Sequence, residues 1–321
     1  MFPTSNSPAS GRSAWAAAHR SCFALALVWL CLLGNLAGAE QIINQSFTVD
    51  STPGGWVVQG TTGSPSVPLN ATDFYGATGQ QDYLRLSSDT ANQRASAYYT
   101  ARTFNSQNFT LTARIYIGGS SPANHGDGLT FSFLDATTIG SNPALLLGAG
   151  GDYMGAPRGG SAPGFGIIPG LRGFNFEFDD HRNTGEYGGE YTRLINVSDR
   201  SHVAGTAHDY SGDAHFFYDS DWEQVQLKAY DGQIYFSWNY VNGGYLDSYQ
   251  FAQPSDLHYA NTIFGITAGT GTLSANHWVD DIILDSAAGV PEPSFLVLYG
   301  LMGLGLPWLR RRKSQTAAST R

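Results

Sequence analysis

The stretch Phe174-Asn175-Phe176-Glu177-Phe178-Asp179-Asp180-His181-Arg182-Asn183 carries two patterns at once. Phenylalanines at 174, 176 and 178 alternate with Asn175, Glu177 and Asp179, the period-two signature of a strand with one face in an apolar core and the other polar. After Phe178 the apolar residues stop and the chain turns polar, so the strand ends there. Glu177 and Asp179 share a face, and Asn183 follows four residues later, so the three groups can converge once the chain turns. Carboxylate, amide and backbone-carbonyl oxygens are hard donors that suit calcium, and Glu186 and Glu190 lie close enough to complete such a set. The same residues also read as a solvated acidic loop after an edge strand.

Short alternating segments of the same kind recur on both sides, separated by Gly, Asn, Asp, Ser and Pro clusters. They predict strands at Phe109 to Ile117, Leu129 to Leu134, Gly173 to Phe178, Trp222 to Tyr230, Gln233 to Tyr240, Ile263 to Ala268 and His277 to Leu284. Asp231-Gly232 between two of them predicts a hairpin, because a type I′ turn needs φ > 0 at both central residues. Residues 40–289 show no helical periodicity of useful length, no repeat and no linker. The expectation is one all-β sandwich of about 250 residues, an ordinary size for such a domain, with jelly-roll connections. The Gly- and Pro-rich stretch from Gly148 to Gly170 reads as long, partly mobile surface loops.

Composition narrows the function. Of 321 residues only 13% are charged, against 42% hydrophobic and 13% aromatic, with 39 glycines and a net charge of −9. Disordered chains need low hydrophobicity and high charge, and long charge-laced helices need abundant Glu, Lys and Arg. Nucleic-acid binding needs a basic surplus to neutralise phosphates, which this chain lacks.

The two ends read as targeting segments. Arg12, His19 and Arg20 precede the apolar run Cys22 to Leu36 and the small residues Ala37-Gly38-Ala39, the layout of a signal peptide cleaved after Ala39. The run is shorter than the ~20 residues a permanent bilayer span needs. Both cysteines, Cys22 and Cys31, lie within it, so the exported part carries no disulfide and no thiolate metal site. At the other end, Val290-Pro291-Glu292-Pro293-Ser294 is followed by the apolar run Phe295 to Leu309 and the cluster Arg310-Arg311-Arg312-Lys313. That is a short membrane-inserting helix with a basic stop, through which 295–309 would associate transiently with the membrane. The arrangement resembles the PEP-CTERM sorting signal of Gram-negative bacteria, which implies an exosortase-type protease as partner and removal of the tail. The expected organisation is a signal peptide at 1–39, a β-sandwich at 40–289 and a sorting tail at 290–321. Between Glu40 and Gly289 lie 10 basic and 25 acidic residues, a balance of −15 that suits neutral ligands or divalent cations.

Five segments, taken in order, resemble the L-type (legume-like) lectins. They are His125-Gly126-Asp127-Gly128-Leu129-Thr130-Phe131; Gly150-Gly151-Asp152-Tyr153-Met154-Gly155; Phe176-Glu177-Phe178-Asp179 through Asn183; the paired segment Trp222 to Trp238; and Phe264-Gly265-Ile266-Thr267-Ala268-Gly269-Thr270-Gly271 continuing to His277. The resemblance spans roughly Phe47 to Asp285 and implies a concanavalin A-like jelly roll. It also implies roles. Asp127 would accept hydrogen bonds from sugar hydroxyls and follow a non-proline cis peptide, a bond that costs about 2.5–4 kcal/mol. Gly151 would donate its backbone N–H to the sugar, and Asn183 would bind calcium through its oxygen and the sugar through its nitrogen. Asp179 and the carbonyl of His181 would ligate calcium, while Glu177 would serve a neighbouring transition-metal (manganese) site. The His181 ring stands where a sugar-stacking aromatic is expected, and Gly271 and Thr272 lie in a loop that sets sugar preference.

Two departures stand out. The family's second bridging acid falls on Gly188, which leaves Glu186 or Glu190 to replace it. Its metal-binding histidine, some ten residues after the Asn, has no counterpart around Tyr191 to Arg193. The calcium site is therefore expected and the manganese site doubtful.

Rival readings are weaker. Glucanases on this architecture use Glu-x-Asp-x-x-Glu with two carboxyl groups about 5–5.5 Å apart, but the third position here is Arg182, and a guanidinium cannot protonate a leaving group. No Gly-x-Ser-x-Gly elbow is present, and His202, His208 and His215 are too widely spaced for a usual zinc site. The expectation is a non-catalytic, calcium-dependent protein that binds a neutral glycan or exopolysaccharide at the cell surface or in the matrix. The alternative is a structural surface protein with a degenerate lectin fold.

Overall fold

Alternation builds the sheets as the sequence predicts. In Phe109–Gly118 the residues Phe109, Leu111, Ala113, Ile115 and Ile117 are buried, while those between them up to Arg114 are half-exposed. The computed structural model describes residues 39–47, 54–60, 83–119, 126–140, 146–148, 154–160, 166–181, 191–210, 222–240 and 246–287. The chain divides into two units, one of residues 40–286 and the other of the termini, 1–39 with 287–321. The signal peptide and sorting tail predicted above lie outside the described residues, Ala39 excepted. Among the described residues no helix is long and apolar enough to cross a membrane.

Two seven-stranded sheets carry the fold. The front sheet runs in the order β11 (His208–Asp209), β10 (Tyr191–Asn196), β9 (Gly173–Asp179), β6 (Gly128–Asp135), β15 (Thr262–Gly269), β4 (Arg94–Phe104) and β2 (Trp56–Gly60), antiparallel throughout. The back sheet runs β1 (Ala39–Gln45), β16 (Asn276–Ala287), β5 (Phe109–Gly118), β12 (Trp222–Tyr230), β13 (Gln233–Tyr240) and β14 (Leu246–Ala252), with β3 (Leu84–Ser87) also paired to β16. Every strand predicted from sequence is present within two or three residues at its ends. The β12–β13 turn has φ of +51° at Asp231 and +70° at Gly232, the type I′ pattern.

Each sheet contributes one apolar face to a single core. Phe131, Phe133, Phe174, Phe176, Phe178, Leu194, Phe264 and Ile266 from the front sheet meet Leu111, Ile115, Val225, Leu227, Phe236, Val279 and Leu284 from the back. The rings pack at angles and offsets, as with Phe176 and Phe236 at 4.9 Å, which the ring quadrupole favours.

The front sheet is covered on its outer side as well. β6, β9 and β15 are buried at every position. A second cluster of Tyr98, Leu134, Ile139, Leu146, Ile168, Leu171, Val197 and Ile263 lies on that side. Here the expectation of mobile surface loops at Gly148 to Gly170 is corrected for the described parts. Arg158–Gly160 (β7) and Ile167–Pro169 (β8) form a short parallel pair, and Met154, Ala156 and Ile168 are buried. The glycines serve close approach: a Cβ at Gly148 would fall 1.7 Å from the Ala156 carbonyl oxygen, and one at Gly155 2.5 Å from those of Ala95 and Ala268.

Three buried polar side chains on the outer side form a chain across strands. Tyr98 donates to Ser132 Oγ at 3.0 Å, and Ser132 donates to Asn175 Oδ1 at 2.7 Å; burial pushes the Tyr98 hydroxyl well above its ordinary pKa. In the back sheet His277 is fully enclosed, its Nδ1 2.6 Å from Ser87 Oγ, and burial pulls its pKa down to about 3.

Candidate functional site

Because neighbouring strands run antiparallel, the start of β6, the end of β9 and the end of β15 meet at one end of the front sheet. The ladders fix this: Gly128 pairs with Asp179 on one side and with Gly269 on the other. Asp127, just before β6, Asp180 and His181, just after β9, and Gly271 and Thr272, just after β15, are therefore neighbours. These residues come together from stretches about 50 and 90 positions apart in the sequence.

Asp127 is 4% exposed, and its carboxylate lies against Gly271. A Cβ placed on Gly271 would stand 2.8 Å from Asp127 Oδ2, inside contact distance. The loop after β15 is pinned by hydrogen bonds to the chain before β4. Thr270 N–H donates to the Gln93 carbonyl at 2.9 Å, Gln93 N–H to Thr270 Oγ1 at 2.8 Å, and Asn92 N–H to the Gly271 carbonyl at 2.8 Å. Thr272, next in line, is exposed and His181 half-buried.

The peptide bond before Asp127 is trans, contrary to the cis bond implied by the resemblance. The chain enters β6 through Gly128 instead, at φ +125°, where a Cβ would fall 2.1 Å from the Phe178 carbonyl oxygen. A conformation open to glycine alone makes the turn, without the penalty of a non-proline cis bond.

Asp179 is fully buried and accepts at both oxygens: from Tyr191 OH at 2.6 Å on Oδ2, and from the His181 N–H at 3.1 Å on Oδ1. With Asp127 and Asp180, also buried, it makes three enclosed carboxylates at this end of β6 and β9. That donor chemistry fits calcium. Among the described residues no group of three or more His, Cys, Asp or Glu closes around one point. The remaining residues expected to hold calcium, Asn183, Glu186 and Glu190, lie outside the described residues, as does Gly151.

Glu177 does not fit a transition-metal site. Arg193, its register partner on β10, donates from Nε to Glu177 Oε2 at 2.7 Å, and Arg200 Nη1 approaches Oε1 at 3.5 Å. Both side chains of the Arg193–Glu177 pair are 1% exposed or less. Arg193 also lies 3.7 Å from Asp179 Oδ2 and 4.7 Å from the centre of the Tyr191 ring. Burial alone would lower the Arg193 pKa, but Glu177, Tyr191 and Asp179 outweigh it and raise it above the ordinary arginine value, so the guanidinium is fixed as a cation. Enclosed in this way, Glu177 is also not placed to attack a substrate.

Sequence reasoning passed over Arg193, Arg200, Tyr191 and Asp180. A signal existed for two of them. Tyr191 and Arg193 alternate with Leu194 and so share the polar face of β10, a face that had to meet the acids of β9. Of the histidines with wide spacing, His202 is exposed and His208 stacks on Tyr249 at 4.6 Å, while His215 lies outside the described residues. A separate cleft of about 610 Å³ opens at the far end of the same sheet, lined by Asp135, Arg172, Asn196, His258 and Tyr259 among others. It contains none of the predicted site residues.

Comparison with solved structures finds this architecture among sugar-binding proteins. Basic winged bean lectin with Tn-antigen superposes with a TM-score of 0.54 at 16% identity, covering 78% of this chain and 100% of that one. The fold is lectin-like. Winged bean acidic lectin complexed with methyl-alpha-D-galactose gives a TM-score of 0.53 at 15% identity, covering 78% and 99%. The exoplasmic/lumenal domain of VIP36 in its Ca2+/Man3GlcNAc-bound form gives 0.50 at 16% identity, covering 76% and 89%. No protein-family model matches the chain, and no curated protein matches it.

Proposed function

We propose that this chain is an exported, non-catalytic carbohydrate-binding protein whose sugar site is organised by calcium. The observation that carries this reading is the meeting of Asp127, Gly271 and the Asp179–His181 corner at one end of a lectin-like sandwich. Asp127 presents a buried carboxylate to accept from sugar hydroxyls, and Gly271 leaves room for the ligand to reach it. Gly151 and Asn183 supply the complementary donors, the His181 ring gives a small stacking surface, and Thr272 stands at the rim. Asp179, Asn183 and the His181 carbonyl, with Glu186 or Glu190, would hold the calcium, which supplies a fixed positive charge that locks this corner. Neighbours bound to galactose- and mannose-type sugars support a neutral glycan, as does the balance of −15 between residues 40 and 289. The signal peptide and the tail at 290–321 route the protein out of the cell. Exosortase-type processing would then leave it at the surface or in exopolysaccharide, for which a glycan-binding module is suited.

A second reading, a structural surface protein with no sugar site, draws on the trans peptide before Asp127. Thermal unfolding with calcium and with EDTA, followed by glycan-array binding, separates the two. Calcium at 100 times its Kd should stabilise by about 2.7 kcal/mol. Asp127→Asn should keep that shift and lose glycan binding, because a charged hydrogen bond is worth about 1.5–3 kcal/mol. A calcium shift with no glycan bound by the unaltered protein would favour the structural reading.

A further inference from the structure

We infer that Arg193 is the second cation of this site: its guanidinium stands where a lectin-like site implies a transition-metal ion. The acidic face of β9 is then organised by the protein's own charge, and calcium is the one metal the site takes. The inference deepens the calcium-lectin reading and rests on it for what the site does.

Three observations support it. The first is position. Arg193 pairs across the ladder with Glu177, the residue that the resemblance assigns to the transition metal, and it occupies the region where the metal-binding histidine is missing. The second is engagement. Arg193 reaches Glu177 at 2.7 Å and lies 3.7 Å from Asp179, so one planar cation touches both the would-be manganese ligand and the would-be calcium ligand. A metal bridging the same two acids would have to sit beside this guanidinium, in a buried setting where like charges repel strongly. The third is reinforcement. Arg200 brings a second guanidinium to the other Glu177 oxygen from a backbone φ of +62°, a region few non-glycine residues adopt. The turn that holds it there is closed by an Arg200 N–H to Asn196 carbonyl bond of 2.8 Å.

A guanidinium differs from a metal ion in what can remove it. It is put in place by folding, it stays protonated at any pH the fold survives, and no chelator extracts it. The corner that positions Asp179 would therefore persist in EDTA, and only the calcium would come and go.

Manganese titration of the full chain tests this, read by thermal unfolding and by the electron paramagnetic resonance signal of free Mn2+. With calcium saturating, the unaltered protein should show no further rise in Tm, and the added Mn2+ should remain as the free ion. Arg193→His releases Glu177 Oε2, with Arg200 still beside Oε1, and supplies a ligand. The calcium-saturated variant should take up one Mn2+, and its Tm should rise by about 5–10 °C in excess metal. A merely structural arginine would give no such rescue. Uptake of one Mn2+ by the calcium-saturated unaltered protein overturns the inference, and so does a folded Arg193→His that takes up none. If that variant does not fold, the titration of the unaltered chain decides alone. An unaltered chain that binds neither calcium nor manganese defeats the calcium reading, yet it agrees with Arg193 as the resident cation.

Discussion

On one side of β9, Phe174, Phe176 and Phe178 meet other rings: Phe174 stacks on Phe133 at 4.7 Å, and Phe176 lies 4.9 Å from Phe236. On the other side Glu177 and Asp179 meet Arg193, Arg200 and Tyr191 at hydrogen-bonding or ion-pair distance. Both faces are fully buried. The inner face is held by contacts that are individually weak, numerous and non-directional, so what matters is volume. The outer face depends on a few directional partners whose loss leaves a bare charge in a dry setting. Two burials of similar extent thus differ in how they fail.

That contrast can be broken from either side. Phe176→Ala should remove about 3–5 kcal/mol from the unfolding free energy, read from urea denaturation, and no single substitution nearby should restore it. Glu177→Ala should cost a comparable 3–5 kcal/mol, because Arg193 is left buried without its main partner. Here a partner change should help: Glu177→Leu combined with Arg193→Met should recover most of the loss, since well-packed apolar pairs often replace buried ion pairs at little cost. Failure of the double variant to recover would mean that the outer face, too, is a matter of shape.

A smaller effect sharpens the point about bare charge. His277 has an ordinary pKa of 6.5 that burial lowers to about 3. Between those values the unfolded chain binds the proton and the folded chain does not. The stability is therefore fully present above pH 6.5 and is lost as pH falls towards 3. The slope is about 1.4 kcal/mol per pH unit, or about 2 kcal/mol between pH 6.5 and 5. Urea midpoints across that range should show it, and His277→Gln should flatten it. The smallest expected change is at the β12–β13 turn, remote from both faces. Gly232→Ala, at φ +70°, should cost about 1 kcal/mol and leave the calcium response unchanged.

How far the sequence could be read follows the same division. The phenylalanine alternation and Asp231-Gly232 are local patterns whose outcome is fixed by backbone geometry, so those strands and that turn were legible. The outer face was not. Arg193 lies 16 residues beyond Glu177, across a connection whose length does not reveal the register, and a slip of one residue would have turned it into the core. The glycines from 148 to 170 mislead for a related reason. Composition cannot distinguish a glycine that lets a loop move from one that lets two backbones touch, and Gly148 and Gly155 are of the second kind. Asp127, Asp179 and Gly271 were found as members of separate segments; that Gly271 lies directly against the Asp127 carboxylate is visible only once β6 and β15 are paired.

The contact between Gly271 and Asp127 also bears on where the loop after β15 is free to diversify. A side chain at 271 would press on the Asp127 carboxylate, which would have to shift to admit it. Variation is easier one step further on, at exposed Thr272 and half-buried Leu273 and Ser274, where new side chains would reshape the surface of the proposed site without crowding the Asp127 carboxylate.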